Sequence, residues 1–202
     1  MISVPTVPSA LAQPSRLPER LLTMCDLAAL PAELPTGSVR YELDNGRLII
    51  MPPSGDPHGS VEAKFTGAFL YEGERRGHGK VWCGEIGIVL WQNPDRVVGA
   101  DAIFIAKDHL PVRRSPEGYL LTIPDLVVEV LGKNDSFVTM EPKVKDYLKA
   151  GVLEVWVADP ASRCVLTYRK EKEPIEYSGS DCLAVEDIIP GLRLSVAEVF
   201  GE

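Results

Sequence analysis

Three acidic residues lie inside apolar runs that otherwise have the composition of buried strands. Glu129 interrupts Leu126, Val127, Val128, Val130 and Leu131 in TIPDLVVEVLGKND, Asp101 lies within VVGADAIFI, and Glu85 within KVWCGEIGIVLW. A short apolar run bounded by Pro124 and Gly132 suits a strand covered on both faces. An unpaired carboxylate there costs several kcal/mol, on the order of a domain's whole stability margin. Each acid therefore needs a cation, a metal ion or a proton. Side chains alternate along a strand, which puts Asp125, Val127, Glu129 and Leu131 on one face. The same rule groups Gly99, Asp101 and Ile103, and likewise Cys83, Glu85 and Gly87. Consecutive strands are often neighbours, so the three carboxylates can converge. Crowded like charges in a low dielectric demand a divalent cation or a raised pKa. An all-oxygen set suits Mg2+ or Mn2+. The competing reading pairs each acid with an arginine or a backbone amide, and the pattern leaves both open.

The elements that would position these acids follow from periodicity. Residues 20–30 have helical spacing, with Leu21, Met24, Leu27 and Ala28 on one face before Pro31. Asn45-Gly46 between two alternating runs predicts a hairpin of strands 39–43 and 47–52. Residues 58–76 carry an apolar stripe of Val61, Phe65, Ala68 and Phe69, and Gly77 and Gly79 end that helix. Strands are expected at 80–91, 97–105 and 125–131, a helix at 140–150, and strands at 153–158 and 163–169 about a turn at Asp159-Pro160. The remainder, to Glu202, reads as one or two short strands and a terminal turn. This order predicts an α/β fold, a mixed central β-sheet flanked by helices, with an N-terminal β-hairpin. Residues 21–202 form one domain on this reading, after a Pro-rich, flexible leader at 1–20.

Composition narrows the function. The chain has 202 residues, 45% hydrophobic and 25% charged, with a net charge of −8. That acidity argues against a whole surface built for nucleic acid. The basic clusters Arg75, Arg76, His78, Lys80 and Arg113, Arg114 read as solvated surface. No apolar run reaches the roughly 18 residues of a membrane span, and the N-terminus is a poor signal peptide. Cys25, Cys83, Cys164 and Cys182 are widely spaced, as expected of reduced thiols in a cytoplasmic protein. GxGxxG, GxxxxGK[ST] and GxSxG are all missing, so dinucleotide, P-loop and esterase chemistry have no support.

YELDNGRLIIMPP, His58-Gly59, GEIGIVL, VGADAIFI, IPDLVVEVL and KVKDYLKAGVLEVWVADP together resemble the Uma-two family, restriction-endonuclease-like proteins of the PD-(D/E)XK nuclease superfamily. The likeness covers about residues 23–170. It implies a restriction-endonuclease-like core and Mg2+-dependent endonuclease cleavage of DNA phosphodiester bonds, with Mn2+ as the substitute ion. By position, Asp101 is the metal-binding Asp, Glu129 the second acid, and the Val130 carbonyl a further ligand, with Glu85 beside them. The superfamily's usual Lys two residues after the second acid is Leu131 here, and the usual Pro before the first Asp is Ala100. The family's lysine is similar in being displaced to the following helix, where the matching position is Lys143. Met140, Val144, Tyr147 and Leu148 mark that helix's apolar face, and Lys143 sits at its border, able to snorkel toward the acids. Lys133 is the runner-up, while Lys145 and Lys149 fit surface salt bridges. Asp135 suits capping or hydrogen bonding better than ligation. His58 either touches substrate or caps its helix. Duplex cutting by analogy implies a homodimer. Two rivals stand beside the nuclease: a catalytically silent nucleic-acid- or protein-binding module that keeps the fold, and a different hydrolase using the acids for general acid–base work.

Overall fold

The computed structural model describes residues 20–35 and 37–201. The expected leader, apart from Arg20, lies outside the described residues. A first short helix, α1 (Met24–Ala28), begins where Thr23 and Asp26 form a reciprocal capping box. It is shorter than the 20–30 expected, because the cap fixes its start at Met24; Leu21 stays outside it, 53% exposed. β1 (Glu33–Leu34) and β2 (Gly37–Ser38) make a small antiparallel pair. β3 (Arg40–Asp44) and β4 (Arg47–Met51) form the predicted hairpin. Its turn needs Asn45 and Gly46, both at positive φ (49° and 79°).

α2 (Asp56–Ala68) opens on Gly55 with Pro57 in its first turn and runs into a π-helical turn at Phe69–Glu74. Then come the long strands β5 (Gly79–Trp91) and β6 (Arg96–Ala106), and β7 (Leu126–Val130). α3 (Phe137–Ala150) starts at a Ser136/Thr139 capping box and stops at Gly151, φ 113°. β8 (Glu154–Asp159), β9 (Cys164–Arg169), β10 (Ile175–Ser178), β11 (Cys182–Leu183), β12 (Leu194–Ser195) and α4 (Val196–Val199) complete the order.

The main sheet runs β10-β9-β8-β7-β6-β3-β4, with β5 on the other side of β6. β7 and β8 are parallel, with α3 as their crossover, and the other pairs in this sheet are antiparallel. One face carries α2 and the C-terminal segment on a core of Phe65, Phe69, Phe104, Val128 and Trp156. The other carries α3 on Ile103, Val127, Val144, Tyr147 and Val155. This is the predicted mixed sheet between helices.

One irregularity in the sheet opens a gap along β6. β5 occupies one edge of β6 along most of its length. On the opposite edge β6 pairs with β3 at Val97 and with β7 from Ala102 to Phe104. Between those contacts, around Gly99 and Asp101, no strand among the described residues covers that edge. Backbone groups there must find side-chain partners.

Candidate functional site

The uncovered edge of β6 opens into a cleft of about 640 Å³ lined by Asp101, Glu129, Glu85, His58, Glu42 and Lys143, among others. The β6–β7 register (Ala102↔Val128, Ile103↔Val127), continued by one residue, sets Asp101 opposite Glu129. Both acids are buried, 3% and 4% exposed. Asp101 Oδ2 accepts the Val130 N–H at 2.6 Å, which ties the two strands together at the point where the sheet parts.

Strict alternation does not hold at this point. Val98 and Ala100 pack in the same core as Ile103 and Ile105, so the phase of β6 changes between Ala100 and Ile103. On β5 the pairing passes from Cys83↔Ala102 to Ile86↔Ala100, leaving Gly84 and Glu85 together opposite Asp101. This is a β-bulge, and both residues have positive φ, 85° and 59°. A left-handed non-glycine residue costs about 1–2 kcal/mol. An ion pair from Arg40 to Glu85 and a hydrogen bond from the Gly84 N–H to Glu62 Oε1 (2.8 Å) offset it. Glu85 therefore reaches Asp101 through the bulge rather than through the regular alternation expected from the sequence. Gly99 makes the room: a Cβ there would stand 2.9 Å from Glu85 Oε2.

His58, in the first turn of α2, completes this corner. Its Nε2 lies 3.2 Å from Asp101 Oδ2, and ligand atoms of His58, Glu85 and Asp101 all fall within 4.8 Å of one another. The sequence left His58 between substrate contact and helix capping; the structure turns the ring toward Asp101, and Gly55 caps the helix without a side-chain bond.

The amine side is built by α3. Lys143 Nζ donates to Glu129 Oε2 (3.0 Å), to the Gly99 carbonyl (2.8 Å) and to Glu42 Oε1 (2.8 Å). Three donors thus meet three acceptors. Lys143 rather than Lys133 engages the acids; Lys133 lines the cleft from the loop before α3. Glu129 Oε1 accepts the Tyr147 hydroxyl at 2.5 Å. Glu42, on the hairpin, also accepts the Gly99 N–H at 2.9 Å, and Arg96 reaches Glu42 (3.4 Å), the Leu43 carbonyl (3.0 Å) and Asp146 (2.7 Å). The side chains of Glu42 and Lys143 therefore satisfy the backbone of Gly99 that no strand pairs on this edge.

Electrostatics follow burial. Glu129 is pushed up to about 7 by desolvation, which outweighs the Lys143 ammonium and is reinforced by Asp101 and Glu42. Lys143 is raised although burial opposes its charge, because Glu129 and Glu42 hold the ammonium. Tyr147 is raised well above the phenol range by burial and Glu129, so it stays a donor. Glu42 is lowered: burial alone would raise it, but Lys143, the Gly99 N–H and Arg96 together prevail. His58 is raised because the contact with Asp101 overcomes its burial. Glu62, one turn further along α2, is raised by burial and by Asp101.

The structure thus gathers Glu85, Asp101, Glu129, Val130, Lys143, His58 and Lys133 around one cleft. Asp135 accepts the Gly132 N–H at 3.0 Å, the hydrogen-bonding role expected of it. Glu42, Arg96 and Glu62 were missed. Glu42 stands in the alternating strand YELDN, where a polar residue reads as a solvent face, and nothing local marks it as buried. Cys25, Cys83, Cys164 and Cys182 are unpaired, and among the described residues no helix is long and apolar enough to cross a membrane.

Comparison with known proteins adds two findings. A family described as "Uma2: Putative restriction endonuclease" matches residues 26–197. A crystal structure from Anabaena variabilis, described as "a putative nuclease belonging to DUF820", superposes with a TM-score of 0.71 at 18% identity, covering 89% of this chain and 97% of that one. At that identity the likeness is one of fold. No curated protein matches the chain.

Proposed function

The chain belongs to the Uma2 family, and from that premise we propose that it is an endonuclease that hydrolyses DNA phosphodiester bonds with a divalent cation, Mg2+ or Mn2+. The observation that carries this reading is the partition of the cleft. A compact donor set of Asp101, Glu85 and His58 lies on one side, and a partly buried lysine aligned on Glu129 on the other. The residues fit such an ion. Two carboxylates and an imidazole nitrogen fall within 4.8 Å of one another, a donor set that suits such an ion, and Gly99 leaves the space open. Asp101, Glu85 and His58 would hold it, with Glu129 and the Val130 carbonyl at its margin. A bound divalent ion supplies a Lewis acid for the phosphate and a more acidic water.

The chain's own groups do the remaining work. Lys143 carries a fixed positive charge beside Glu129, suited to an attacking water or to charge growing on the phosphate. Glu129, pushed up to about 7, can hold or release a proton near neutral pH. Glu42 and Gly99 fix the amine's direction. Lys133 and Arg40 add positive charge to the cleft lining, but acids outnumber bases there, so a phosphate would depend on the cation for its place. A homodimer would bring two such clefts to opposite strands of a duplex.

A second reading, a silent binding module with the same fold, is favoured by one observation: all three Lys143 donors are spent inside the protein. Plasmid cleavage with and without Mg2+ separates the two. Wild type should nick only with the ion, and Asp101→Asn and Glu129→Gln should each reduce the rate at least a hundredfold. Cleavage that survives both substitutions removes the assignment, and absence of any cleavage or Mn2+ binding by the wild type favours the silent module.

A further inference from the structure

Glu62 holds no part in the cation chemistry given above, yet it stands beside both halves of the donor set. It lies on α2 one turn after His58, is largely shielded from solvent, and sends its two oxygens in different directions. Oε1 accepts the N–H of Gly84, the first residue of the bulge that presents Glu85. Oε2 stands 4.0 Å from His58 Nδ1, the buried ring nitrogen that has no hydrogen-bond partner among the described residues. The other ring nitrogen faces Asp101 at 3.2 Å. With Nε2 directed into the cleft, Nδ1 is the atom left to fix the plane and tautomer of the imidazole, and Glu62 is the acceptor beside it.

We propose that Glu62 is the positioning residue of the cation site: one carboxylate that locks the left-handed bulge through Gly84 and orients His58 through Nδ1, so that Glu85 and His58 are set together. This rests on the cation site proposed above. The physical reason for such a brace is plain. Glu85 sits in a backbone conformation that non-glycine residues avoid, and His58 sits on a separate element packed against the sheet; neither has a local reason to meet the other. A carboxylate bonded to the bulge and adjacent to the ring removes that freedom. Outer partners of metal-binding histidines act in this way, and their loss weakens metal binding roughly 10–100-fold.

The test is Mn2+ binding by the full chain, followed by calorimetry and by the Mn2+ electron paramagnetic resonance signal, for wild type, Glu62→Gln and Glu62→Ala. Glu62→Gln keeps an acceptor for the Gly84 N–H and removes the negative charge behind the ring. It should bind Mn2+ several-fold more weakly, and Glu62→Ala should fall within the 10–100-fold range. Long-range 1H–15N spectra with saturating Mg2+ give an independent readout. The His58 ring should carry its proton on Nδ1 in wild type and lose that single-tautomer signature in both variants. Should Glu62→Ala fail to fold, Glu62→Gln and the spectra decide. Wild-type affinity in the variants, with an unchanged His58 tautomer, overturns the role of Glu62 alone. A wild type that binds no Mn2+ overturns the cation site and this role with it.

Discussion

Replacing Lys143 by methionine isolates the charge problem at the centre of the site. The substitution keeps an unbranched side chain of similar length and deletes the ammonium that Glu129, Glu42 and the Gly99 carbonyl share at 3.0, 2.8 and 2.8 Å. Glu42 retains the Gly99 N–H and Arg96, but Glu129 retains, among the described residues, only Tyr147. Removing one partner of a buried pair costs about 3–5 kcal/mol when the other must stay charged. For a domain of this size that lowers Tm by roughly 10 °C. Glu129 has an escape, because burial already pushes it up to about 7, above its ordinary 4.5. A carboxyl raised on folding contributes stability that is full below about pH 4.5 and is lost as pH rises through the folded value. In wild type that loss runs from about pH 4.5 and is complete near pH 7; without Lys143 the folded value rises further, and the loss continues to higher pH. The Tm deficit of Lys143→Met should therefore be small at pH 6 and grow toward pH 9, by at most about 1.4 kcal/mol per pH unit for one proton. Thermal unfolding followed by circular dichroism at pH 6, 7, 8 and 9 measures it. A deficit that is equal at pH 6 and pH 9 refutes the idea that Lys143 neutralises Glu129.

Gly99→Ala should act on the donor set without disturbing the fold. Its Cβ would meet the free end of Glu85 at 2.9 Å, so the carboxylate swings aside; Mn2+ affinity should drop roughly tenfold by calorimetry while Tm changes little. An unchanged affinity would mean Glu85 is not a ligand. Arg96→Met removes bonds to Asp146, Glu42 and the Leu43 carbonyl from a residue 4% exposed. Urea unfolding should show a loss of about 3–5 kcal/mol, and a loss below 1 kcal/mol would show that the hairpin docks without it.

Most of the elements were legible because they rest on local periodicity. The Asn45-Gly46 hairpin, the Phe65–Phe69 stripe and the apolar runs around Asp101 and Glu129 appear as strands and helices within a few residues of expectation. Lys143 was also reachable, since the border of an apolar helical stripe is a local property and α3 is the crossover beside Glu129. Glu85 was named for an incomplete reason: alternation assumes an unbroken ladder, and Gly84-Glu85 break it. Tyr147 was marked as core, which it is, but its hydroxyl also donates to Glu129.

By itself the sequence determined that acids would be buried among strands and that they would therefore need compensation, because hydropathy and side-chain alternation are properties of neighbouring residues. Only the tertiary structure decided what compensates them. β3 and β7 leave one edge of β6 unpaired between Val97 and Ala102, and the buried backbone of Gly99 is claimed there by Glu42, 57 residues away, and by Lys143, 44 residues away. A gap in a sheet edge arises from how strands diverge in space, and no periodicity along the chain records it.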